Sequence, residues 1–150
     1  MSAVSAPRIE VIHGVNLDQL GRRDPAHYGR LDLPALERQI DAWARPLGLT
    51  PSFFQTNHEG ALVEHLHGLR GSAEAIIINP GAWTHYAYAI HDALEIAGLP
   101  AVEVHLSAVK QREAWRQTSV ISDLCVATVS GKGPEGYLEA LQILKKELAG

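Results

Sequence analysis

The sequence lacks the features that mark secreted, membrane-spanning and nucleic-acid-binding proteins. Its single cysteine, Cys125, cannot form a disulfide within the chain. No run of about 18 apolar residues could cross a membrane, and the start, MSAVSAPR, lacks the pattern of a secretory signal. Acidic residues outnumber lysine and arginine by 17 to 13, so no basic field would hold a phosphate backbone. These absences predict a cytoplasmic protein in a reducing compartment, with neither nucleic acid nor membrane as partner.

The length and composition predict one globular domain. A chain of 150 residues with 46% hydrophobic and 20% charged positions can bury a proper core. We therefore expect a single domain over residues 1–150, with a flexible N-terminus at residues 1–7. Cys125 lies in the apolar run LCVATV and is expected to be a small buried hydrophobe rather than a reactive thiol.

Short β-rich runs alternate with longer segments of helical period, which is typical of a parallel sheet covered on both faces. The predicted strands are residues 9–13, 51–55, 75–79, 101–105 and 125–130. Together with the helices between them, they predict an α/β fold, a flavodoxin-like doubly wound sheet of five parallel strands in three layers. Such sheets bind ligands beyond the carboxyl ends of their strands, where the connection order reverses.

Apolar residues recur at helical spacing between these strands. Asp32 is placed to cap the first helix, and Pro34 fits its first turn. The apolar positions that define the helices are Leu36, Ile40, Trp43 and Leu47; Leu62, Leu66 and Leu69; Ala87, Ile90 and Leu94; and Tyr137, Leu141, Leu144 and Leu148.

Two connections are unusually long or polar. Residues 14–31 exceed the two to six residues that usually join a strand to a helix, and they carry both acidic and basic side chains. We predict that this segment is an active-site lid, and we call it the lid below. The second connection, residues 107–122, carries Lys110, Arg112, Glu113 and Arg116 after the fourth strand.

Three motifs of glycine or histidine could indicate a nucleotide or metal site, but each has a simpler interpretation. GKGPEG, residues 131–136, satisfies the dinucleotide pattern G-x-G-x-x-G, but only 14 residues follow it, so we interpret it as a tight turn. His58 and Glu59 begin like a zinc helix, yet Leu62 stands where the second histidine is needed. His65 and His67 cannot share one helical face and are expected to be solvated.

Glu103 and His105 form the clearest candidate pair on a strand. Residues i and i+2 of a strand point the same way, so this carboxylate and imidazole can lie side by side at the carboxyl end of the fourth strand. Spacing alone leaves open whether they are catalytic or a structural ion pair. Asn79 ends the third strand and His85 follows it, so polar groups from several strand ends should converge on one pocket.

Arg23 and Tyr28 form a second candidate pair, in the lid. A phenol has an ordinary pKa near 10, so a tyrosine base at neutral pH needs about 3 to 4 kcal/mol of stabilisation for its anion. One guanidinium about 4 Å away supplies about 1 kcal/mol in bulk water but roughly 4 at an effective dielectric of about 20. The pair therefore requires a closed lid, and Arg112 could add a second cation. The alternative is that both residues are simply exposed.

Several segments together resemble the type II 3-dehydroquinate dehydratases, from about Arg8 to Leu148. They are HGVNLDQLG, GRRDPAHYG, NHEG, NPGAWTH and EVHLS, followed by Arg112 and Arg116. The resemblance implies a lyase that removes water from 3-dehydroquinate, without cofactor or metal. It also implies a place in the shikimate pathway, and so in chorismate and aromatic amino acid biosynthesis, or alternatively in quinate catabolism.

The resemblance further implies roles for individual residues. Tyr28 would be the base, held as its anion by Arg23 and Arg112, and Asn16 would stabilise an enolate oxygen. His105, oriented by Glu103, would protonate the departing hydroxyl. The implied substrate-binding groups are Asn79 and amides near Leu106 and Ser107 for the carboxylate, and His85, Asp92 and Arg116 for ring hydroxyls. Asp92 would act across a subunit boundary in a homododecamer, a tetramer of trimers.

Some positions depart from the family pattern, and other functions stay open. His13, Val15, Asp24, Ala108 and Thr118 replace residues that are usual in the family. They motivate one alternative, a paralogue that binds quinate-like acids without turnover. GKGPEG and the fold class motivate another, a noncatalytic module that binds a nucleotide or flavin.

Overall fold

The computed structural model describes residues 5–28 and 30–150. Its five strands form one parallel sheet in the order β2-β1-β3-β4-β5. The strands are β1 Arg8–His13, β2 Thr50–Gln55, β3 Ala75–Asn79, β4 Ala101–His105 and β5 Ala127–Ser130. The α-helices are α1 Pro25–Tyr28, α2 Leu33–Ala44, α3 Glu59–His67, α4 Tyr88–Ala97 and α5 Glu135–Ala149. Short 3-10 helices cover Leu17–Gln19, Arg45–Leu47, Gly81–His85, Val109–Gln111, Ala114–Gln117 and Ser122–Leu124. The predicted five-stranded parallel α/β fold is confirmed.

The sheet is covered on both faces because its central strands are apolar on both sides. Ile9 and Val11 face α2 and α5, whereas Ile12 faces α3 and α4. The Asp32 side chain accepts a hydrogen bond from the Ala35 amide at 2.9 Å, so the predicted cap of α2 is present. None of the helices in residues 5–28 and 30–150 is long and apolar enough to cross a membrane.

Part of the predicted flexible N-terminus and one position of the lid lie outside the described residues, namely residues 1–4 and Gly29. The carbonyl of Pro7 accepts a hydrogen bond from the Thr50 amide at 2.9 Å, so the chain is already held against β2 there. The described part of the lid contains two short helices, Leu17–Gln19 and α1.

The last strand begins later than predicted. β5 starts at Ala127, because Cys125 instead ends the 3-10 helix Ser122–Leu124 and packs with the apolar cluster beside α4. Burial is the main reason why the pKa of the Cys125 thiol is raised to about 12. Cys125 is only half-buried, so the expectation of a buried residue was wrong, but the raised pKa agrees with an unreactive thiol.

The prediction that His65 is solvated was wrong. The His65 ring stacks on Phe54 with a centroid distance of 3.8 Å, and its Nε2 lies 2.5 Å from Glu10 Oε2. Glu10 is a buried acidic residue in β1, and a buried carboxylate needs a partner. The partner comes from α3, which packs over this strand. His67 is exposed, as expected.

A tight backbone contact joins the turns that follow β1 and β3. The Gly14 amide donates to the Asn79 carbonyl at 2.7 Å, and a Cβ on Gly14 would lie 2.3 Å from the Pro80 carbonyl oxygen. A Cβ on Gly81, which has a φ of +65°, would lie 2.6 Å from the Val15 carbonyl oxygen. These glycines let the two strand ends meet at the point where the strand order reverses.

We predict opposite effects for two glycine-to-alanine substitutions. Gly14→Ala should lower the free energy of unfolding by about 1 to 3 kcal/mol or more, because its methyl group would overlap backbone atoms that cannot move aside. Gly60→Ala, in α3 with open space around the new Cβ, should raise it by about 0.5 to 1 kcal/mol. Urea unfolding of both variants checks this, and equal effects would contradict the proposed contact.

Candidate active site

A pocket lies at the carboxyl ends of β1, β3 and β4, at the predicted edge of the sheet. The lid and the connection after β4 close its sides. Ten of the predicted site residues line it: Asn16, Arg23, Tyr28, Asn79, His85, His105, Leu106, Ser107, Arg112 and Arg116. Glu103 lies behind His105, and Asp92 lies outside the pocket.

Tyr28 receives two guanidinium hydrogen bonds on one oxygen. Arg23 Nη2 donates to Tyr28 Oη at 2.7 Å, and Arg112 Nη1 donates to the same oxygen at 2.8 Å. The Arg23 guanidinium also lies over the Tyr28 ring, 3.8 Å from its centroid. Arg23 comes from the lid and Arg112 from the connection after β4, so the Tyr28 oxygen joins the two segments. Two charged donors therefore meet at one phenol oxygen.

Glu103 and His105 lie side by side, as their spacing indicated. His105 Nε2 is 2.6 Å from Glu103 Oε2, and Glu103 has no exposed surface. Thr84 and Ser119 donate to the two carboxylate oxygens at 2.6 and 2.8 Å. Burial opposes ionisation of Glu103, but the hydrogen bonds from these residues and the charge of His105 outweigh it. The pKa of Glu103 therefore lies below its ordinary value.

The turn that carries Asn16 is held by residues with no role assigned from the sequence. Asn16 has a left-handed backbone, with φ of 69°, which asparagine tolerates. Its amide donates to Asn57 Oδ1 at 2.8 Å, and Asn57 Nδ2 donates to Asp18 at 3.2 Å. Gln55 Nε2 donates both to Asn57 Oδ1 and to the Gly14 carbonyl. The NHEG segment was a signal for Asn57, although nothing in the sequence tied it to Asn16.

The glycine turn GKGPEG supports the strand end next to Ser107. The Gly131 amide donates to the Ser107 carbonyl at 3.1 Å, and the Gly133 amide donates to the Leu106 carbonyl at 3.1 Å. Both amides are thereby used within the chain, whereas a phosphate-binding loop points its amides at the ligand. The segment forms the tight turn that we predicted.

His85 and Arg116 form the third side of the pocket. His85 Nδ1 donates to the Thr118 carbonyl at 2.7 Å, which leaves Nε2 as the acceptor of a neutral ring. Trp115 contacts both: its ring centroid lies 5.2 Å from that of the His85 ring in an edge-to-face arrangement, and 4.0 Å from the Arg116 guanidinium. Burial lowers the pKa of His85 below its ordinary value, so the ring is neutral at neutral pH.

Comparison with known proteins identifies the family. The profile of the family described as Dehydroquinase class II matches residues 7–145. The chain belongs to the class II dehydroquinases. A 3-dehydroquinate dehydratase of Thermotoga maritima is 45% identical over 141 residues, which cover 94% of this chain and 96% of the relative. One from Pelobacter propionicus is 46% identical, covering 89% and 91%.

Solved structures give the same result. The crystal structure of the type II dehydroquinase from Propionibacterium acnes superimposes with a TM-score of 0.90 at 36% identity, covering 96% of this chain and 99% of that one. The resemblance predicted from the motifs is therefore confirmed.

Asp92 is the one predicted site residue of this class II dehydroquinase that lies away from the pocket. Its side chain is 75% exposed on α4, and its Oδ1 lies 3.0 Å from His91 Nδ1. His91 Nε2 lies 3.3 Å from Asp123. The two carboxylates raise the pKa of His91, with the hydrogen bond that His91 donates to Asp92 as the largest cause.

The departures from the family pattern have local explanations in this dehydroquinase. Asp24 caps α1 through the Ala26 amide at 3.0 Å, so it still anchors the lid. Ala108 packs on Gly131, and Thr118 contributes its backbone carbonyl rather than its side chain. His13 has no exposed surface, and its Nε2 lies 3.1 Å from Glu37.

We predict that two histidines of this dehydroquinase titrate in opposite directions from the ordinary pKa of about 6.5. His85 should titrate below it because its ring is partly desolvated, and His91 above it because two carboxylates flank it. Nitrogen-15 NMR of the imidazoles, assigned with His85→Gln and His91→Gln, measures both. Asp92→Asn should lower the His91 value and leave His85 unchanged; a shift of both would contradict this local cause.

Proposed function

We propose that this class II dehydroquinase is a lyase that converts 3-dehydroquinate to 3-dehydroshikimate by trans elimination of water through an enolate. The observation that carries the proposal is the Tyr28 oxygen with two guanidinium donors, at 2.7 and 2.8 Å, in the same pocket as His105. Family membership supports the substrate, and the relatives from two bacteria carry the name 3-dehydroquinate dehydratase.

Tyr28 is the proposed base. Removal of a weakly acidic proton next to a ketone needs a basic group that is ionised near neutral pH. Ionising an ordinary phenol there requires about 3 to 4 kcal/mol, and one guanidinium at low effective dielectric supplies roughly that amount. Tyr28 has two guanidinium neighbours, Arg23 and Arg112. Together they can stabilise its anion by that amount even where solvent screens part of their charge.

The remaining groups complete the elimination. Asn16 stabilises the enolate oxygen, which is preorganised electrostatic stabilisation. His105, paired with Glu103, protonates the departing β-hydroxyl, because hydroxide alone is a poor leaving group. The base and acid come from different segments, the lid and β4, so the substrate ring can lie between them.

The substrate is held by its carboxylate and its ring hydroxyls. We assign the carboxylate to Asn79 with amides near Leu106 and Ser107, where buried polar groups gather. His85 and Arg116 bind ring hydroxyls, and the free Nε2 of a neutral His85 suits a hydroxyl donor.

Asp92 is assigned to the pocket of a neighbouring subunit. Its exposed position on α4 agrees with such a role, and the proposed assembly is a homododecamer of four trimers. A variant Asp92→Ala would then retain the fold of each subunit while losing substrate affinity.

An absorbance assay tests the activity. The product is a conjugated enone that absorbs in the ultraviolet, so the purified protein should raise the absorbance when 3-dehydroquinate is added. Tyr28→Phe should lose nearly all turnover, by about 10²-fold or more, yet still bind substrate, because only the general base is removed. Calorimetric binding to Tyr28→Phe is the control for an intact pocket. Substantial turnover by this variant would refute Tyr28 as the base.

A second variant tests the activation of the base. Arg23→Ala should lose turnover near neutral pH, and the loss should shrink as the pH rises, because hydroxide then ionises the phenol without the lost cation. Arg23→Lys keeps the charge but not the planar contact with the ring. Its turnover near neutral pH should lie between those of the native protein and Arg23→Ala. We would abandon the assignment if the loss in Arg23→Ala were the same at every pH.

A further inference from the structure

Two hydroxyl groups converge on Glu103 from loops that come from different strands. Thr84, after β3, donates to Glu103 Oε2 at 2.6 Å, and Ser119, after β4, donates to Oε1 at 2.8 Å. The two hydroxyl oxygens are 3.0 Å apart. The Val120 amide donates to the Thr84 carbonyl at 2.7 Å, which fixes the two loops to each other.

The available protons determine the direction of these hydrogen bonds. Ser119 Oγ accepts from the amides of Ile121 at 3.3 Å and Ser122 at 3.1 Å. A hydroxyl has one proton and two lone pairs, so both lone pairs of Ser119 are occupied. Its proton must point away from those amides, and Glu103 Oε1 is the nearest acceptor. A proton on Oε1 would face an oxygen with no lone pair left, which disfavours protonated Glu103.

Counting protons and lone pairs in the same way also locates the proton of His105. With Thr84 also donating, Glu103 Oε2 is an acceptor of two bonds, and the second donor is His105 Nε2 at 2.6 Å. The proton of the neutral imidazole then resides on Nε2, because a carboxylate can only accept. Nδ1 is the ring nitrogen that remains for the pocket.

We propose that Thr84 and Ser119 are positioning residues that keep Glu103 ionised, fix one proton of His105 on Nε2, and leave Nδ1 to exchange a proton with the substrate. This inference rests on the proposed function for the role of the acid, although the proton arrangement itself can be tested without turnover.

Other titratable groups near Glu103 do not replace these hydroxyls. His85, Lys110 and Arg116 line the small cavity on the far side of Glu103 and His105. Burial lowers the pKa of His85, so this ring is neutral at neutral pH. Cys125, with a thiol pKa of about 12, does not ionise near neutral pH, and Asp123 beside it is exposed.

Removing either hydroxyl should move the acidic limb of the pH profile to higher pH. The pKa of Glu103 is held below its ordinary value in part by these donors. With one donor gone, its carboxylate is less stable, so it takes up a proton at higher pH. The variant should lose activity on acidification before the native protein does.

The test compares variants that remove and retain a hydroxyl. Thr84→Val keeps the shape and removes the donor. It should lower kcat about tenfold and move the acidic limb of kcat up by about one pH unit, because a hydrogen bond to a charged group is worth about 1.5 to 3 kcal/mol. KM should stay within about twofold. Thr84→Ser should restore both quantities, and Ser119→Ala should behave like Thr84→Val.

Ser122→Ala is the matched control, because it removes an exposed hydroxyl from the same loop without a contact to Glu103. It should leave the pH profile in place. Unchanged profiles in Thr84→Val and in a folded Ser119→Ala would overturn the proposal, as would equal shifts in Ser122→Ala.

Nitrogen-15 NMR of His105 separates failure of this inference from failure of the proposed function. In the neutral ring we expect the proton on Nε2 in the native protein, and a mixture of the two tautomers in Thr84→Val. A native ring with its proton on Nδ1 would overturn the inference whatever the activity. Absence of turnover together with the Nε2 tautomer would instead refute the proposed function alone.

Discussion

The contact of one phenol oxygen with two guanidinium groups sets the electrostatics of this site. Arg23 and Arg112 each lie within 3 Å of Tyr28 Oη, and two cations so close repel each other unless an anion lies between them. In the proposed reaction, the phenolate of Tyr28 is that anion. This contact joins the lid to the connection after β4, so in the proposed reaction it both encloses the pocket and activates the base. A lid that opened would separate the charges and expose the phenol to water, which weakens the effect of both cations.

The proposed acid is held by the sheet, whereas the proposed base is held by the lid. Glu103 and His105 lie on β4, inside the sheet, and the carboxylate has no exposed surface. Its charge is stabilised by hydrogen bonds from the Thr84 and Ser119 hydroxyl groups. The turns after β1 and β3, which contact each other at Gly14 and Gly81, form the bottom of the pocket between the proposed acid and the proposed base. The sheet therefore carries the proposed acid, and the lid carries the proposed base.

Much of this arrangement could be predicted from the sequence because its causes are local. Strand alternation placed Glu103 beside His105, and the parallel sheet brought Asn79, His85 and the lid to one edge. The contacts that escaped prediction depend on partners distant in the chain. Asn57 supports Asn16 across 41 residues, and Ser119 meets Glu103 across a loop without regular period. His65 was misjudged for the same reason: helical spacing shows which face it occupies, but not that Glu10 and Phe54 lie beneath that face.

The proposed reaction changes the protonation of the base and of the acid in opposite directions. The base begins as an anion between cations and ends protonated, while His105 begins as a cation beside a carboxylate and ends neutral. Each turnover thus moves both groups away from the state that their surroundings favour. Arg23 and Arg112 draw the proton off the phenol, and Glu103 draws one back to His105, so the same fixed charges that prepare the site also restore it.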